Sequence, residues 1–325
     1  MGVLASAPAK IILFGEHFVV YGEPAIVLAI DRRARASAEL RTDQRVYVNS
    51  VDLGLSGFFT KERFQPERGG EEARTKLEPV KIAIQRVLDL SKKEVGVNVK
   101  IESSIPVAAG LGSSAAVAAA VGAAVSELLD VKLSREEIFR IAYEAERFVH
   151  GTPSGIDPAI STYGGVHLFD RKKGVTPLNV KGDIQLVVGD TGIKRSTGRL
   201  VAMVRERRER FPSIIGPIIK TGGKVALRAV KALETGDLNA VGELMNINHA
   251  LLCAVGVSNE SLERLVNASR KAGAFGAKLT GAGGGGCMIA LSPPERLEEV
   301  AEAIERAGGT SFIARKANEG AKIES

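Results

Sequence analysis

Val95-Gly96-Val97-Asn98-Val99-Lys100-Ile101-Glu102 leads, after three residues, into Pro106-Val107-Ala108-Ala109-Gly110-Leu111-Gly112-Ser113-Ser114-Ala115-Ala116. In the first stretch Val95, Val97, Val99 and Ile101 alternate with glycine and polar residues. That period of two belongs to a strand with one face in the core and one in water. The second stretch is a glycine turn ending in two serines, after which Ala115 to Val125 runs apolar and alanine-rich. This run is about half the length a bilayer crossing needs, so it reads as a buried helix packed closely on its neighbours. The turn therefore opens a helix, and the free N–H groups of that first turn, with the Ser113 and Ser114 hydroxyls, form a seat for a phosphate.

Two other glycine signatures compete for the same residues. Gly110-Leu111-Gly112-Ser113-Ser114-Ala115 matches the dinucleotide pattern G-x-G-x-x-A, but a Rossmann strand is buried on both faces, and this one alternates. A Walker A loop requires a lysine after its glycines, and none follows. A dinucleotide loop and a structural glycine turn stay as the minor readings, and the paired serines favour a phosphate cradle.

Working outward, Lys10 to Phe14 and Ala25 to Ile30 read as strands around the loop Gly15 to Pro24, and Arg33 to Leu40 and Arg45 to Asn49 extend that sheet. Gly69-Gly70-Glu71-Glu72 reads as a loop before a helix with Leu77, Val80, Ile84, Val87 and Leu88 at helical spacing. Ser134-Arg135-Glu136-Glu137 has the capping-box pattern and opens a helix to about His150, followed by a turn at Gly151 to Gly155. Gly164 to Phe169 and Ile184 to Gly189 read as strands. Helices start from about Thr197, Ile214, Asp237 and Ser258. Strands Ala274 to Leu279 and Cys287 to Leu291 flank a second glycine loop, Lys278-Leu279-Thr280-Gly281-Ala282-Gly283-Gly284-Gly285-Gly286-Cys287, where four glycines in a row predict close backbone approach to a ligand. A helix from Pro294 and a strand near Thr310 to Ala314 end the chain. Strands mixed with helices, one of them half-solvated, predict an α+β fold with largely antiparallel sheets.

The chain has 325 residues, enough for two domains. The expected division is residues 1–179, carrying the phosphate seat, and 180–325, beginning after the turn-rich Arg171 to Gly174. The net charge of +6 is compatible with an anionic ligand. Nucleic acid is not an expected partner, because Trp is absent, aromatics are 5% and the cations are dispersed. Arg205-Glu206-Arg207-Arg208-Glu209-Arg210 reads as a wet helix face. Cys253 and Cys287 are the only cysteines, too few for a disulfide framework or a thiolate site, and no H-E-x-x-H marks a zinc site. With no charged-then-apolar leader and no spanning stretch, the expectation is a cytoplasmic protein without a membrane partner.

Two further segments carry candidate chemistry. Pro8 to Gly22 places Lys10 in a strand and Glu16 and His17 at the mouth of the next loop. Glu144 to Pro158 carries three carboxylates, Glu144, Glu146 and Asp157. A hard ion such as Mg²⁺ takes oxygen ligands from one or two protein groups and from nucleotide phosphates. Ser114 and one of the glutamates are candidates, with Asp157 as a candidate base.

Together these segments resemble the GHMP small-molecule kinases over nearly the whole chain. Pro8 to Gly22 is similar to that family's first motif, Pro106 to Ala115 to its ATP loop and Lys278 to Cys287 to its third motif. Glu146-Arg147-Phe148-Val149-His150-Gly151-Thr152-Pro153-Ser154-Gly155-Ile156-Asp157 and Asp190-Thr191-Gly192-Ile193-Lys194-Arg195-Ser196-Thr197 resemble the branch that phosphorylates mevalonate. The resemblance implies an N-terminal ribosomal-protein-S5-like domain and a C-terminal ferredoxin-like domain with the site in the cleft. It implies Asp157 as proton acceptor and Lys10 beside it, neutralising charge. Ser114 and Glu146 would hold Mg²⁺. Ser103 and Pro106 through Ala116 would meet ATP, and Glu16, His17, Thr191 and Gly281 would join Lys10 and Asp157 around the acceptor. The implied activity is ATP-dependent phosphorylation of the 5-hydroxyl of (R)-mevalonate for isoprenoid precursor synthesis. Phosphomevalonate, galactose and homoserine are the alternative acceptors within the family, which also admits a homodimer. Val46 to Gly54 departs from the pattern for the adenine pocket, so base contacts do not carry over.

Overall fold

The computed structural model describes residues 2–60, 63–106, 110–151, 154–194 and 196–324, and of His150 the backbone alone. The chain opens with β1 (Val3–Phe14) and β2 (Ala25–Arg41), paired antiparallel from Val3 opposite Ala38 to Phe14 opposite Ile26. The sequence predicts two strands where β2 is one. A register irregularity at Pro8/Ala9 of β1 absorbs Asp31 and Arg32, and pairing continues on both sides of them. There follow β3 (Val46–Ser50), β4 (Leu55–Phe59), β5 (Phe64–Arg68), α1 (Gly70–Ser91) and β6 (Gly96–Ser103). Gly69 to Glu72 is not the expected loop beyond its first residue, because the helix starts at Gly70. Its Glu71 and Glu72 stand in the first turn, where negative charge suits the helix dipole.

Next come α2 (Ser113–Leu128), α3 (Arg135–His150), α4 (Ile156–Tyr163), β7 (Val166–Asp170) and β8 (Gly174–Pro177). The capping box of α3 forms as read: Ser134 accepts from the Glu137 N–H and the Glu137 carboxylate accepts from the Ser134 N–H at 2.7 Å. The first sheet runs β13-β1-β2-β6-β3-β4-β5, with β7 on the early part of β2 and β8 on β7, where β13 is Lys322–Ile323. All its pairs are antiparallel except β3 with β6. Ala5, Ala7, Ala9, Ala34, Ala36 and Ala38 are fully buried on this sheet. Their small side chains let the alanine-rich α2, itself buried from Ala118 to Val125, pack close against β1 and β2.

The second sheet, β10 (Gly276–Leu279), β11 (Cys287–Leu291), β9 (Gln185–Asp190) and β12 (Thr310–Arg315), is antiparallel throughout. Its helices are α5 (Thr197–Arg210), α6 (Pro212–Thr235), α7 (Leu238–Ala254), α8 (Glu260–Lys271) and α9 (Leu297–Arg306). β11 is buried on both faces. Cys287, Ile289 and Leu291 join the core that includes α6, α7 and the first sheet, whereas Met288 and Ala290 join the core beneath α8 and α9. Segregated helices on antiparallel sheets are the expected α+β class. No helix among the described residues is long and apolar enough to cross a membrane.

Candidate active site

A cavity of about 520 Å³ lies where β1, the N-termini of α2 and α4, the end of α3 and the second glycine loop meet. Lys10 on β1 is nearly buried, its N–H donates to the Leu111 carbonyl at 2.9 Å, and its Nζ lies 3.1 Å from Asp157 Oδ1. Asp157 stands in the first turn of α4, an eight-residue helix whose Ser161 hydroxyl donates to the Pro8 carbonyl at 3.0 Å. Lys10 and Asp157, 147 positions apart by their numbers, are thus fixed through their own backbones. Gly112 supplies the closeness: its φ is +76°, and a Cβ there would come 2.8 Å from Lys10 Cγ. The serine end of the turn, Ser113 and Ser114, begins α2 on the cavity wall, so the helix points its positive end at the Lys10–Asp157 pair.

Glu146, on α3, reaches the same cavity. It is buried, and its Oε2 has no hydrogen-bond partner among the described residues. Burial, and then the charge of Asp157, raise its carboxyl to about 8, with Lys10 pulling the other way. An orphaned, desolvated carboxylate oxygen lining the same cavity as the Ser114 hydroxyl is the oxygen-only donor set that Mg²⁺ takes, and the residues present fit that ion.

The other expected contacts divide. His17 lines the cavity, in an uncommon backbone conformation for its type (φ 58°), with Nε2 2.8 Å from the Ala282 carbonyl oxygen. Gly281, Pro106, Gly110, Leu111 and Ala115 also line it. Glu16 reaches the wall, but its carboxylate is wholly buried in an ion pair with Lys278. Thr191 stands off the cavity and ties β9 to the second glycine loop, its hydroxyl donating to the Gly286 carbonyl at 3.0 Å. Ser103 also stands off it. Its N–H donates to Asp52 and its hydroxyl accepts from the Ile105 N–H. Ala116 is buried behind the turn. Val107, Ala108 and Ala109 of the ATP loop, and Thr152, Pro153 and Arg195 of the flanking motifs, lie outside the described residues. The four consecutive glycines have a different reason than expected. A Cβ on Gly283 would lie 2.1 Å from the Val257 carbonyl oxygen and one on Gly285 2.8 Å from Ile193, so their close approach is to the protein itself.

Sequence reasoning missed a second cavity, of about 390 Å³, on the far side of the α2 N-terminus. The two cavities share Ser113 and Ser114. The second is largely apolar, lined by Leu53, Leu77, Pro79, Val80, Ile101, Val117, Phe148 and Val149, and Ser50 and Leu53 come from the stretch that departs from the family pattern. Leu53, Phe148 and Val149 are 42%, 53% and 47% exposed, so the cavity presents apolar surface. No periodicity marks these residues, since a strand end, a helix flank and a helix C-terminus supply them. Thr197, at the end of the Asp190–Thr197 segment, and Val201, which no motif marked, line the first cavity from α5.

The chain matches the family described as "GHMP kinases N terminal domain" over residues 78–165 and "GHMP kinases C terminal" over 229–310. A mevalonate kinase of Pyrococcus abyssi is 48% identical over 330 residues, covering 99% of this chain and 98% of the relative. One from Archaeoglobus fulgidus is 38% identical, covering 99% and 100%. The crystal structure of L. major mevalonate kinase in complex with R-mevalonate superposes with a TM-score of 0.83 at 30% identity, covering 97% of this chain and 96% of that one. The Methanococcus jannaschii mevalonate kinase gives 0.84 at 29%, covering 97% and 98%. With both family domains matched and a relative 48% identical along nearly its whole length, the chain belongs to the GHMP kinases and, among them, to the mevalonate kinase family.

Proposed function

We propose that this protein transfers the γ-phosphoryl group of ATP to the 5-hydroxyl of (R)-mevalonate, giving 5-phosphomevalonate and ADP. The carrying observation is the Lys10–Asp157 pair at 3.1 Å, set against the α2 N-terminus and the orphaned oxygen of Glu146. Phosphoryl transfer has a loose transition state with charge on the transferring oxygens, so catalysis is positioning and neutralisation. The N–H groups of the α2 first turn and the Ser113 and Ser114 hydroxyls hold the phosphates, and the apolar cavity behind them seats the adenine. Ser114 and Glu146 hold Mg²⁺, which supplies positive charge to those phosphates. Lys10 lies against the developing charge. Asp157 accepts the hydroxyl proton as the new O–P bond forms and ADP departs. His17 and Gly281 border the acceptor, while Thr191 holds the loop that carries Gly281. In this reading residues 1–179 carry the nucleotide and metal groups, and 180–325 supply the second glycine loop and α5. The protein works in the cytoplasm.

Asp157→Asn tests this assignment. The expected outcome is unchanged affinity for Mg·ATP and mevalonate by calorimetry, with kcat lower by roughly 10²–10⁴-fold. Near-normal turnover would remove Asp157 from the role of proton acceptor.

A further inference from the structure

Behind the acceptor side of the cavity lies an ion pair that the reaction itself does not use. Glu16 follows β1 and Lys278 sits in β10, and both side chains are 0% exposed. Lys278 Nζ donates to Glu16 Oε1 and, at 2.7 Å, to the Leu279 carbonyl. Asn248 of α7 donates to the other oxygen, Glu16 Oε2, at 3.3 Å, and is itself fully buried. Burial raises the Glu16 carboxyl and lowers the Lys278 ammonium, so each ion persists through its partner. Both carboxylate oxygens are therefore engaged from the protein side, and the side chain has no exposed surface where Glu16 borders the cavity.

The neighbours of the pair do reach it. Glu16 precedes His17, whose ring meets the Ala282 carbonyl, and Lys278 lies three and four positions before Gly281 and Ala282. Between them the Thr280 hydroxyl donates to the Ile12 carbonyl at 2.9 Å, a third tie between the same two segments. On its other side β10 is held through the Leu279 N–H, which donates to His249 Nδ1 at 3.3 Å.

We infer that Lys278, with Asn248, is a positioning residue: by anchoring Glu16 it docks the Gly15–His17 turn onto the Lys278–Ala282 segment and so sets the acceptor wall. Glu16 then acts through this pair and does not bind the acceptor. The inference rests on the proposed reaction for its kinetic readout but not for its structural one.

The test uses the full-length protein as Lys278→Met, Glu16→Gln and the two combined, with amide hydrogen exchange on ligand-free protein and steady-state kinetics. Removing one partner strands a buried charge, whereas removing both does not. The expected result for Lys278→Met is faster exchange in residues 15–18 and 279–282, unchanged exchange in β3 and β4, and an unchanged KM for ATP. Its KM for mevalonate rises and kcat falls by about 10²-fold, as expected for a wall displaced by about an ångström. The double variant recovers exchange protection and part of the turnover. Wild-type protection and turnover in Lys278→Met would overturn the inference. So would a mild Lys278→Met with mevalonate affinity lost in Glu16→Gln and not regained in the double variant, which would make Glu16 a ligand. Should Lys278→Met not fold, Asn248→Ala keeps both charges paired; a smaller rise in the same exchange supports the inference, and none overturns it. Inactive wild-type protein with the exchange pattern as expected would contradict the proposed reaction while leaving the anchoring intact.

Discussion

Glu146 holds the most unusual group in the cleft, a buried carboxylate with one oxygen unpartnered among the described residues and a proton affinity raised by burial and by Asp157. Such a group is costly to keep without a cation. Glu146→Gln retains the shape and removes the charge. The expected outcome is a Mg²⁺ concentration for half-maximal activity raised by at least 10-fold, the scale set by losing an outer-shell partner of a metal ligand. An unchanged magnesium requirement would place the ion elsewhere. Ser114, Asp157 and a glutamate of the Glu144–Glu146 stretch were legible as candidates, because an oxygen-rich segment and a serine-ended glycine turn have direct chemical meanings, whereas the choice of Glu146 and the place of Lys10 beside Asp157 were read only through the family resemblance. The Lys278–Glu16 pair was not legible. Its members lie 262 positions apart, and each alone reads as an ordinary strand-end charge.

Among the elements, the seam between α7, α8 and β10 carries a second polar cluster, centred on the buried His249. His249 Nε2 and Glu263 Oε1 lie 3.1 Å apart, and the Cys253 thiol and Ser258 hydroxyl donate to the same Glu263 oxygen. Because His249 Nδ1 accepts from the Leu279 N–H, its Nε2 carries the proton and donates to Glu263. That tautomer leaves no nitrogen lone pair for a metal. Burial holds His249 down to about 4 against the pull of Glu263. Burial also opposes the Glu263 charge, yet its hydrogen bonds, Ser258 first, keep its carboxyl below the usual range. Between pH 6.5, the ordinary histidine value, and about 4 the unfolded chain binds more protons than the folded one. Stability is therefore present above that window and lost as pH falls through it. Thermal melts from pH 7 to pH 4 should show a loss on the order of 1–2 kcal/mol that His249→Gln flattens. An identical pH slope in the variant would count against the cluster. At this scale α3 was legible because its capping box is local, and β11 because its bounds are glycine and serine. α4 was not, since eight residues with Pro158 in the first turn give no helical period. It is held by tertiary contacts, among them the Ser161–Pro8 bond.

For the whole molecule, the cleft stays aligned because the two sheets share a core and because the end of the chain returns to its beginning. Ala317 bridges Ala29 and Gly165 through backbone bonds of 2.9 and 2.7 Å, and β13 pairs with β1. Arg33 on β2 adds a bond to the Gly320 carbonyl at 2.6 Å. These ties put the nucleotide seat, the Lys10–Asp157 pair and the acceptor wall on one frame, which is the central claim about how the chain works. That claim is tested most directly by identifying the product formed when purified protein meets Mg·ATP and, separately, (R)-mevalonate, phosphomevalonate, galactose and homoserine, read by phosphorus NMR alongside ADP release. The account predicts one phosphate monoester on the primary 5-hydroxyl of mevalonate per ADP, with the other acceptors left unchanged. ADP released without that monoester, or a monoester formed only on another acceptor, would contradict it.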